Sequence, residues 1–132
     1  MGYRVDGAAL DTLVGGILAD KDFLSGGRTD RAGMLSFAAL ALDEAGRTSG
    51  GKSAAARKAL VNVAPWLKGK ARADGAFDMF DEPPIQESDE KATTYAVRGL
   101  LGAYEVSGDV AWLDIAEKAQ RYLATRKGAT TT

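Results

Sequence analysis

The sequence of 132 residues contains no cysteine and no histidine. The lack of cysteine excludes disulfides, thiolate metal sites and cysteine nucleophiles. The lack of histidine removes the usual general base at neutral pH and the commonest metal ligand. Acid–base chemistry would have to use carboxylates, lysine or tyrosine, and a bound metal would be a hard ion with oxygen ligands.

An excess of one charge and a long apolar run are also missing. The 17 basic and 18 acidic residues leave a net charge of -1, which gives no net field towards nucleic acid or a membrane surface. No apolar run approaches the roughly 20 residues of a membrane-spanning helix, and the N-terminus lacks the pattern of a signal peptide. We therefore expect neither a nucleic-acid nor a membrane partner. The expected location is cytoplasmic, with a secreted domain whose leader was removed as the open alternative.

Alanine and leucine are common and isoleucine is sparse, a composition that favours helix over strand. The apolar periodicity predicts an all-α fold, one domain over residues 1–132 with about five helices. We expect these helices at about 8–24, from an Asp30 cap to Gly46, from Ser53 across a kink or restart at Pro65, at about 91–106, and after an Asp109 cap. Residues 127–132 are expected to form a frayed tail.

Two segments resemble each other. "LSFAALALDEAG" (35–46) aligns with "VRGLLGAYEVSG" (97–108), and each is an apolar helix that ends in an acidic residue and a glycine. A second helix follows in both cases, so the repeat fits stacked helix–turn–helix hairpins, although any two amphipathic hairpins share these features. Gly99 and Gly102 each cost roughly 1 kcal/mol against alanine inside a helix. Their presence predicts that the helix packs closely against a neighbour there.

The stretch "GRTSGGKS" (46–53) matches the phosphate-binding pattern G-x-x-x-x-G-K-[ST]. Such a loop needs a strand before it and a helix after it. Here residues 36–45 are predicted to be helix, so we interpret the motif as a helix end, a turn and a cap. A nucleotide binder that uses this stretch stays an alternative, as does a simple anion site at Lys52 and Ser53.

Residues 71–90 are predicted to form a long acidic loop between the hairpins, and residues 74–90 hold seven acids with no basic residue. Loops of this length are often functional. Three interpretations stay open: a solvated loop with Ser88 or Asp89 capping the next helix, a Ca²⁺ site, or an acid–base pair that acts on a sugar. No other metal or cofactor is expected.

The loop and the helix after it supply the candidate site residues. The candidate catalytic residues are Asp78, Asp81 and Glu82. The candidate ligand-binding residues are Asp74, Phe77, Phe80, Glu87, Tyr95 and Arg98. Tyr95, Arg98 and Gly102 share one helix face. The default expectation for Arg98 is a pair with a loop acid or an extended surface position.

The stretch "SDEKATTYAVRGLLGAYEVSGDVAWLDIAEKAQRYLATR" (88–126) resembles a helical hairpin of α/α-toroid proteins. "ALVNVAPWLKGKARADGAFDMFDEPP" (59–84) resembles a segment of terpenoid cyclases and thioester domains, which are also toroids. The resemblance implies stacked antiparallel helix pairs whose loops line one mouth. The thioester cysteine–glutamine motif and the aspartate-rich cyclase motif are absent, and toroids close with about twelve helices. The resemblance therefore implies a fragment, an arc that closes by homo-oligomerisation, or a small bundle.

A small helical arc offers a shallow groove rather than a deep catalytic pocket. The sequence therefore favours a non-catalytic helical binding module that uses the acidic 71–90 loop and the adjoining helix face. Its expected partner is a protein or a glycan. The alternatives are a carbohydrate-active toroid fragment of lyase or hydrolase type, which would use the loop carboxylates, and the nucleotide binder.

Overall fold

The computed structural model describes residues 7–20, 32–48, 53–79 and 86–130. These ranges contain five α helices and no strand, which confirms the predicted all-α fold. The predicted helix over residues 36–45 is also confirmed. The helices are α1 Gly7–Ala19, α2 Ala32–Gly46, α3 Ser53–Lys70, α4 Gln86–Ser107 and α5 Val110–Thr130.

The helix boundaries differ from the predicted ones at several points. α3 continues through Pro65, where a kink or restart was predicted, and its buried neighbours on both sides, Ala64 and Leu67, anchor it to the core. α4 begins at Gln86, so the last five residues of the predicted loop are helical. Acidic side chains are favourable in a first helical turn, which explains why "QESDE" joins the helix. α5 runs to Thr130 and so includes most of the predicted tail.

Helix α2 lies at the centre of the fold and packs against α1, α3 and α4. Apolar residues are buried around most of its circumference, as expected for a helix without a solvent-facing side. These residues are Ala32, Leu35, Ala38, Ala39, Leu40, Ala41, Leu42 and Ala45. Five of the eight are alanines, whose short side chains let neighbouring helices approach closely.

The contact between α2 and α4 confirms the close packing predicted for the two glycines. A β-carbon on Gly99 would overlap the β-carbon of Ala39, and one on Gly102 would overlap the carboxylate of Asp43. Because Ala39 and Asp43 meet Gly99 and Gly102 in the same chain order, α2 and α4 run parallel. α3 and α5 are their antiparallel hairpin partners.

The turn between α4 and α5 has the predicted chemistry. Gly108 has φ 73°, and its N–H donates to the Tyr104 carbonyl at 2.7 Å, as at many helix C-termini. The carboxylate of Asp109 accepts the Ala111 N–H at 2.9 Å, which confirms Asp109 as the cap of α5. No helix in the described ranges is both long and apolar enough to cross a bilayer.

Candidate functional site

The loop that follows α3 is closed around one guanidinium group. Arg72 donates to both carboxylate oxygens of Asp74 at 3.2 and 2.7 Å. Its Nη1 also donates to Asp78 at 2.7 Å and to Asp89 at 3.0 Å. We call these four residues the Arg72 cluster. It joins the loop to the first turns of α4.

The same loop turns its backbone towards the core. Phe77 is fully buried, and its N–H donates to Oγ1 of Thr93 at 2.9 Å. The Thr93 hydroxyl in turn donates to the Asp89 carbonyl at 2.6 Å. The Asp89 carboxylate accepts the Met79 N–H at 3.2 Å. Side-chain and backbone hydrogen bonds therefore anchor the segment 72–79 to α4.

The structure corrects the expected role of Asp89 as a helix cap. Because α4 begins at Gln86, both Ser88 and Asp89 lie inside the helix. Asp89 is only 3% exposed, and its carboxylate binds the loop instead of the helix N-terminus. The sequence pattern missed this because a cap and a first-turn acid differ by only a few positions.

The Arg72 cluster shows that three of the acids in the predicted loop are paired with a cation and are not simply solvated. The hydrogen bonds from Arg72, helped by the Ala76 N–H, hold the pKa of Asp74 below its ordinary value. The guanidinium lies where a bound cation would lie among three carboxylates. In the described ranges, no group of three or more acidic side chains is arranged to hold a metal ion. The seven acids were counted over residues 74–90, and Arg72 lies just before that range, so the loop was interpreted as having no cation of its own.

The remaining candidate residues are dispersed. Phe77 has no exposed surface for a ligand. The ring of Tyr95 lies against that of Phe37, with centroids 5.7 Å apart. Arg98 pairs with Glu44 of α2 at 3.7 Å, and no loop acid that the structure describes is paired with it. The candidates Lys52, Phe80, Asp81 and Glu82, and the side chain of Glu87, lie outside the described part of the chain.

A cleft of about 360 Å³ opens at the opposite end of the parallel pair. The Arg72 cluster includes Asp89 in the first turns of α4, whereas the cleft includes Gly102 and Glu105 near the end of that helix. At 1.5 Å per residue, Asp89 and Glu105 are roughly 24 Å apart along the axis. We call this site the α2–α4 cleft; it is lined by Leu42, Asp43, Gly46, Arg47, Arg57, Leu60, Gly102, Glu105 and Val106.

Arg47 links the ends of α2 and α4 at one side of the cleft. Its Nε donates to both carboxylate oxygens of Asp43, each at 3.1 Å, and its Nη2 donates to Glu105. Asp43 and Glu105 are each the ninth residue of the two aligned twelve-residue segments. The two copies of the repeat therefore place equivalent acids around one arginine.

Asp43 is almost fully buried against the α4 backbone. Burial raises the pKa of its carboxyl, because a charge in a poorly solvated position is unfavourable, although the hydrogen bonds from Arg47 oppose this effect. Gly102 allows the close approach, since a side chain there would occupy the position of the carboxylate. Asp43 is thus a buried charge whose described ion-pair partner is Arg47.

The carbonyl of Gly46 gathers two donors at the end of α2. It accepts the Ser53 hydroxyl at 2.9 Å and Nε of Arg57 at 2.8 Å. The last carbonyls of a helix lack partners within the helix, so these bonds satisfy one of them. The described ends of "GRTSGGKS" therefore close α2 and start α3. A helix precedes the motif, so the strand that a phosphate-binding loop requires is not present there.

The sequence analysis did not single out Asp43, Arg47 or Arg57 as site residues. Two signals were available for the first two. Asp43 and Arg47 are four residues apart, a spacing that places opposite charges side by side on a helix. Asp43 is also the acid that the repeat aligns with Glu105. No local signal marks Arg57, because it reaches the cleft from another helix.

No protein-family model matches this chain, and no curated protein and no solved structure matches it. The likeness to α/α-toroid hairpins therefore stays a local resemblance of sequence pattern. The geometry itself is that of two stacked hairpins with α1 beside them, packed as a small helical bundle.

Proposed function

We propose that this chain is a non-catalytic binding module whose ligand enters the α2–α4 cleft. The observation that carries the proposal is the cleft itself, about 360 Å³ between three helices, with apolar and charged groups on its walls. Ligand sites are typically clefts of roughly 300–1,000 Å³ that combine apolar walls with a few polar groups. The size suits a small molecule or the end of a peptide.

The walls of the cleft are held in place before any ligand arrives. Arg47 is fixed by carboxylates from two helices, and Arg57 is fixed by the carbonyl that ends α2. Groups that are already positioned lose little conformational entropy when a ligand binds. A ligand that enters the cleft would therefore meet polar groups that need little rearrangement.

The charged groups favour binding over catalysis. A general acid or base has to exchange a proton with the substrate. Asp74 and Asp78 bind Arg72, and Asp43 binds Arg47, so these described carboxylates are already engaged as acceptors. The carbohydrate-active alternative rests on Asp81 and Glu82, and the nucleotide alternative rests on Lys52. No observation on the described residues favours either alternative.

Nuclear magnetic resonance of the ¹⁵N-labelled chain tests the proposal. We expect members of a library of small soluble compounds to shift the amide signals of Gly46, Leu60 and Gly102. The signals of Gly75 and Phe77 in the other end of the molecule should stay in place. The resonances of each bound compound should remain those of the unchanged compound after hours of incubation. Hits that move only the loop signals, or that are converted to product, would contradict the proposal.

A matched pair of variants locates the site. Val106 is 45% exposed at the edge of the cleft, and Val110 is 60% exposed at the start of α5 and does not line it. We expect Val106→Trp to block the cleft and abolish the shifts. Val110→Trp adds the same ring at an exposed valine outside the cleft and should leave the shifts intact. Equal effects of the two variants would place the ligand elsewhere.

A further inference from the structure

We infer that the α2–α4 cleft binds a carboxylate that carries an apolar group, with Arg57 as its anchor. The inference rests on the proposed function, since it names the class of ligand for that same cleft. It depends on the charges of the two arginines in the wall and on the apolar surface between them.

Arg57 is positioned by the end of α2. Its Nε donates to the Gly46 carbonyl at 2.8 Å, and its side-chain stem lies directly over the α-carbon of Gly46, where a β-carbon would come within 2.9 Å of Cγ. These two contacts hold the guanidinium at the wall of the cleft. Its bond through Nε leaves the two terminal nitrogens, Nη1 and Nη2, as a pair of donors.

The two arginines differ in how their charge is neutralised. Arg47 is shared by Asp43 and Glu105. Among the residues that the structure describes, Arg57 has no carboxylate within ion-pair distance, and its hydrogen bond goes to a neutral carbonyl. The Arg57 side of the cleft therefore carries a positive charge that no described carboxylate pairs with directly. An anionic group is the ligand chemistry that would supply one.

The form of the anion follows from the geometry of a guanidinium and from the acids in the cleft lining. The two terminal nitrogens of arginine match the two oxygens of a carboxylate. Asp43 and Glu105, which line the same cleft, would repel a second negative charge, so a singly charged carboxylate fits better than a phosphate dianion. Both acids lie in the same cleft lining as Arg57.

The apolar part of the ligand follows from the other walls. Leu42, Leu60 and Val106 line the cleft beside the charged groups. An aliphatic or aromatic group attached to the carboxylate would cover these side chains and remove apolar surface from water. A free carboxylic acid and the C-terminus of a peptide that ends in an apolar residue present the same chemistry.

N-acetyl-leucine and its uncharged amide form the test pair, because they differ only in the carboxylate. Titrations followed by ¹⁵N amide shifts should give a Kd on the order of 1 mM for the acid, as expected for a ligand of this size. Binding of the amide should be at least tenfold weaker. Added salt should weaken binding of the acid and leave that of the amide almost unchanged. A hexapeptide that ends in leucine, compared with its C-terminal amide, tests the peptide source.

Variants on α3 test the anchor. Arg57→Gln should weaken binding of N-acetyl-leucine at least tenfold and leave the affinity for the amide unchanged. Lys58→Gln removes the same charge from the neighbouring residue, which does not line the cleft, and should have no effect beyond twofold. Thermal melts of both variants establish that they are folded.

The outcomes separate the inference from the proposed function. Cleft signals that shift equally with the acid and the amide would overturn the inference and leave the binding module standing. Tighter binding of phenyl phosphate than of N-acetyl-leucine would overturn the preference for a single charge. No shift at Gly46, Leu60 or Gly102 with any compound would overturn both.

Discussion

The two ends of the molecule each contain an arginine among carboxylates and a pocket of similar size, but the basic side chains at the two ends are partnered differently. Arg72 is 28% exposed, lines a pocket of about 350 Å³ and pairs with Asp74 and Asp78 of the loop and with Asp89 of α4. Arg47 is 51% exposed and stands beside a cleft of about 360 Å³. The comparison shows that a cluster of charges is no guide to a binding site by itself. At the second end, Arg57 also lines the cleft, and its hydrogen bond goes to a neutral carbonyl rather than to a carboxylate.

The two ends also differ in the contacts that their buried aspartates make. Asp89 meets both an arginine and a backbone N–H, and it joins the loop to α4. The carboxylate of Asp43 packs against the α4 backbone at Gly102, and Arg47 is its cation. The first arrangement fixes a loop, whereas the second fixes the wall of a cleft. Four predictions test this difference, and they are given from the largest expected effect to the smallest.

The largest loss of stability is expected from Arg72→Met. The variant leaves Asp89 buried without its cation and releases Asp74 and Asp78, and breaking a buried ion pair typically costs 3–5 kcal/mol. Because Arg72 is partly exposed, we expect about 2–4 kcal/mol in urea denaturation. Arg121→Met on the exposed surface of α5 is the control and should change stability by less than about 0.5 kcal/mol. Similar losses in both variants would show that the cluster does not hold the loop.

Gly99→Ala tests the close contact between α2 and α4, the two helices that extend from one end of the molecule to the other. The added β-carbon would overlap Ala39, so the two helices would have to move apart. We expect a loss of about 1–3 kcal/mol, although alanine is the better helix former. The control is Gly16→Ala in α1, where no atom lies within 4 Å of the new β-carbon. That change should stabilise the protein by up to about 1 kcal/mol; a gain from Gly99→Ala would contradict the close packing.

A smaller loss is expected from Arg47→Met, of about 1–2 kcal/mol near neutral pH. Asp43 then loses its cation, but its carboxyl already has a raised pKa and can take up a proton. The loss should therefore be smaller near pH 4 than near pH 7, because protonation removes the buried charge. Denaturation at the two pH values measures the difference. A loss that grows on acidification would mean that Arg47 does not stabilise the ionised carboxylate.

The smallest effects are opposite pH dependences at the two ends. The folded-state pKa of Asp74 lies below 3.8, so its stabilisation is present above that pH and is lost as the pH falls. The folded-state pKa of Asp43 lies above 3.8, so its ionisation costs stability as the pH rises from 3.8 through the folded-state value.

Two variants separate these contributions. Relative to the unmodified protein, Asp74→Asn should be less stable near pH 6, and this deficit should shrink towards about pH 3. Asp43→Asn should instead gain in relative stability as the pH rises over the same range. Urea denaturation of each variant beside the unmodified chain gives both curves. Curves of the same slope would show that the two carboxyls are in similar environments.

Local patterns were enough to predict most of the fold. The apolar period located the helices, Asp109 was recognisable as a cap, and two glycines in α4 indicated a close neighbour. Each of these properties depends on residues within a few turns of one another or on the cost of a single residue type. The beginning of α4 was missed because the acids before it join its first turn. The continuation of α3 past Pro65 without a restart depends on packing of Ala64 and Leu67 against the core.

The candidate site depended on contacts that no local pattern contains. Arg72 and Asp89 are separated by 17 residues, and Arg47 and Glu105 by 58. The acidic loop therefore looked uncompensated although its cation was beside it. The repeat did contain a useful signal, since it aligned Asp43 with Glu105. The alignment did not indicate that Arg47 binds both Asp43 and Glu105.

The contact of Gly99 with Ala39 has a mechanical consequence. With almost no side chain between the two backbones, α2 cannot slide along α4 without driving one methyl group into the neighbouring helix. The pair should therefore behave as a rigid spine, whose amide hydrogens exchange with solvent only when the whole chain unfolds. An incoming ligand would then meet a cleft whose α2 and α4 walls do not shift relative to each other.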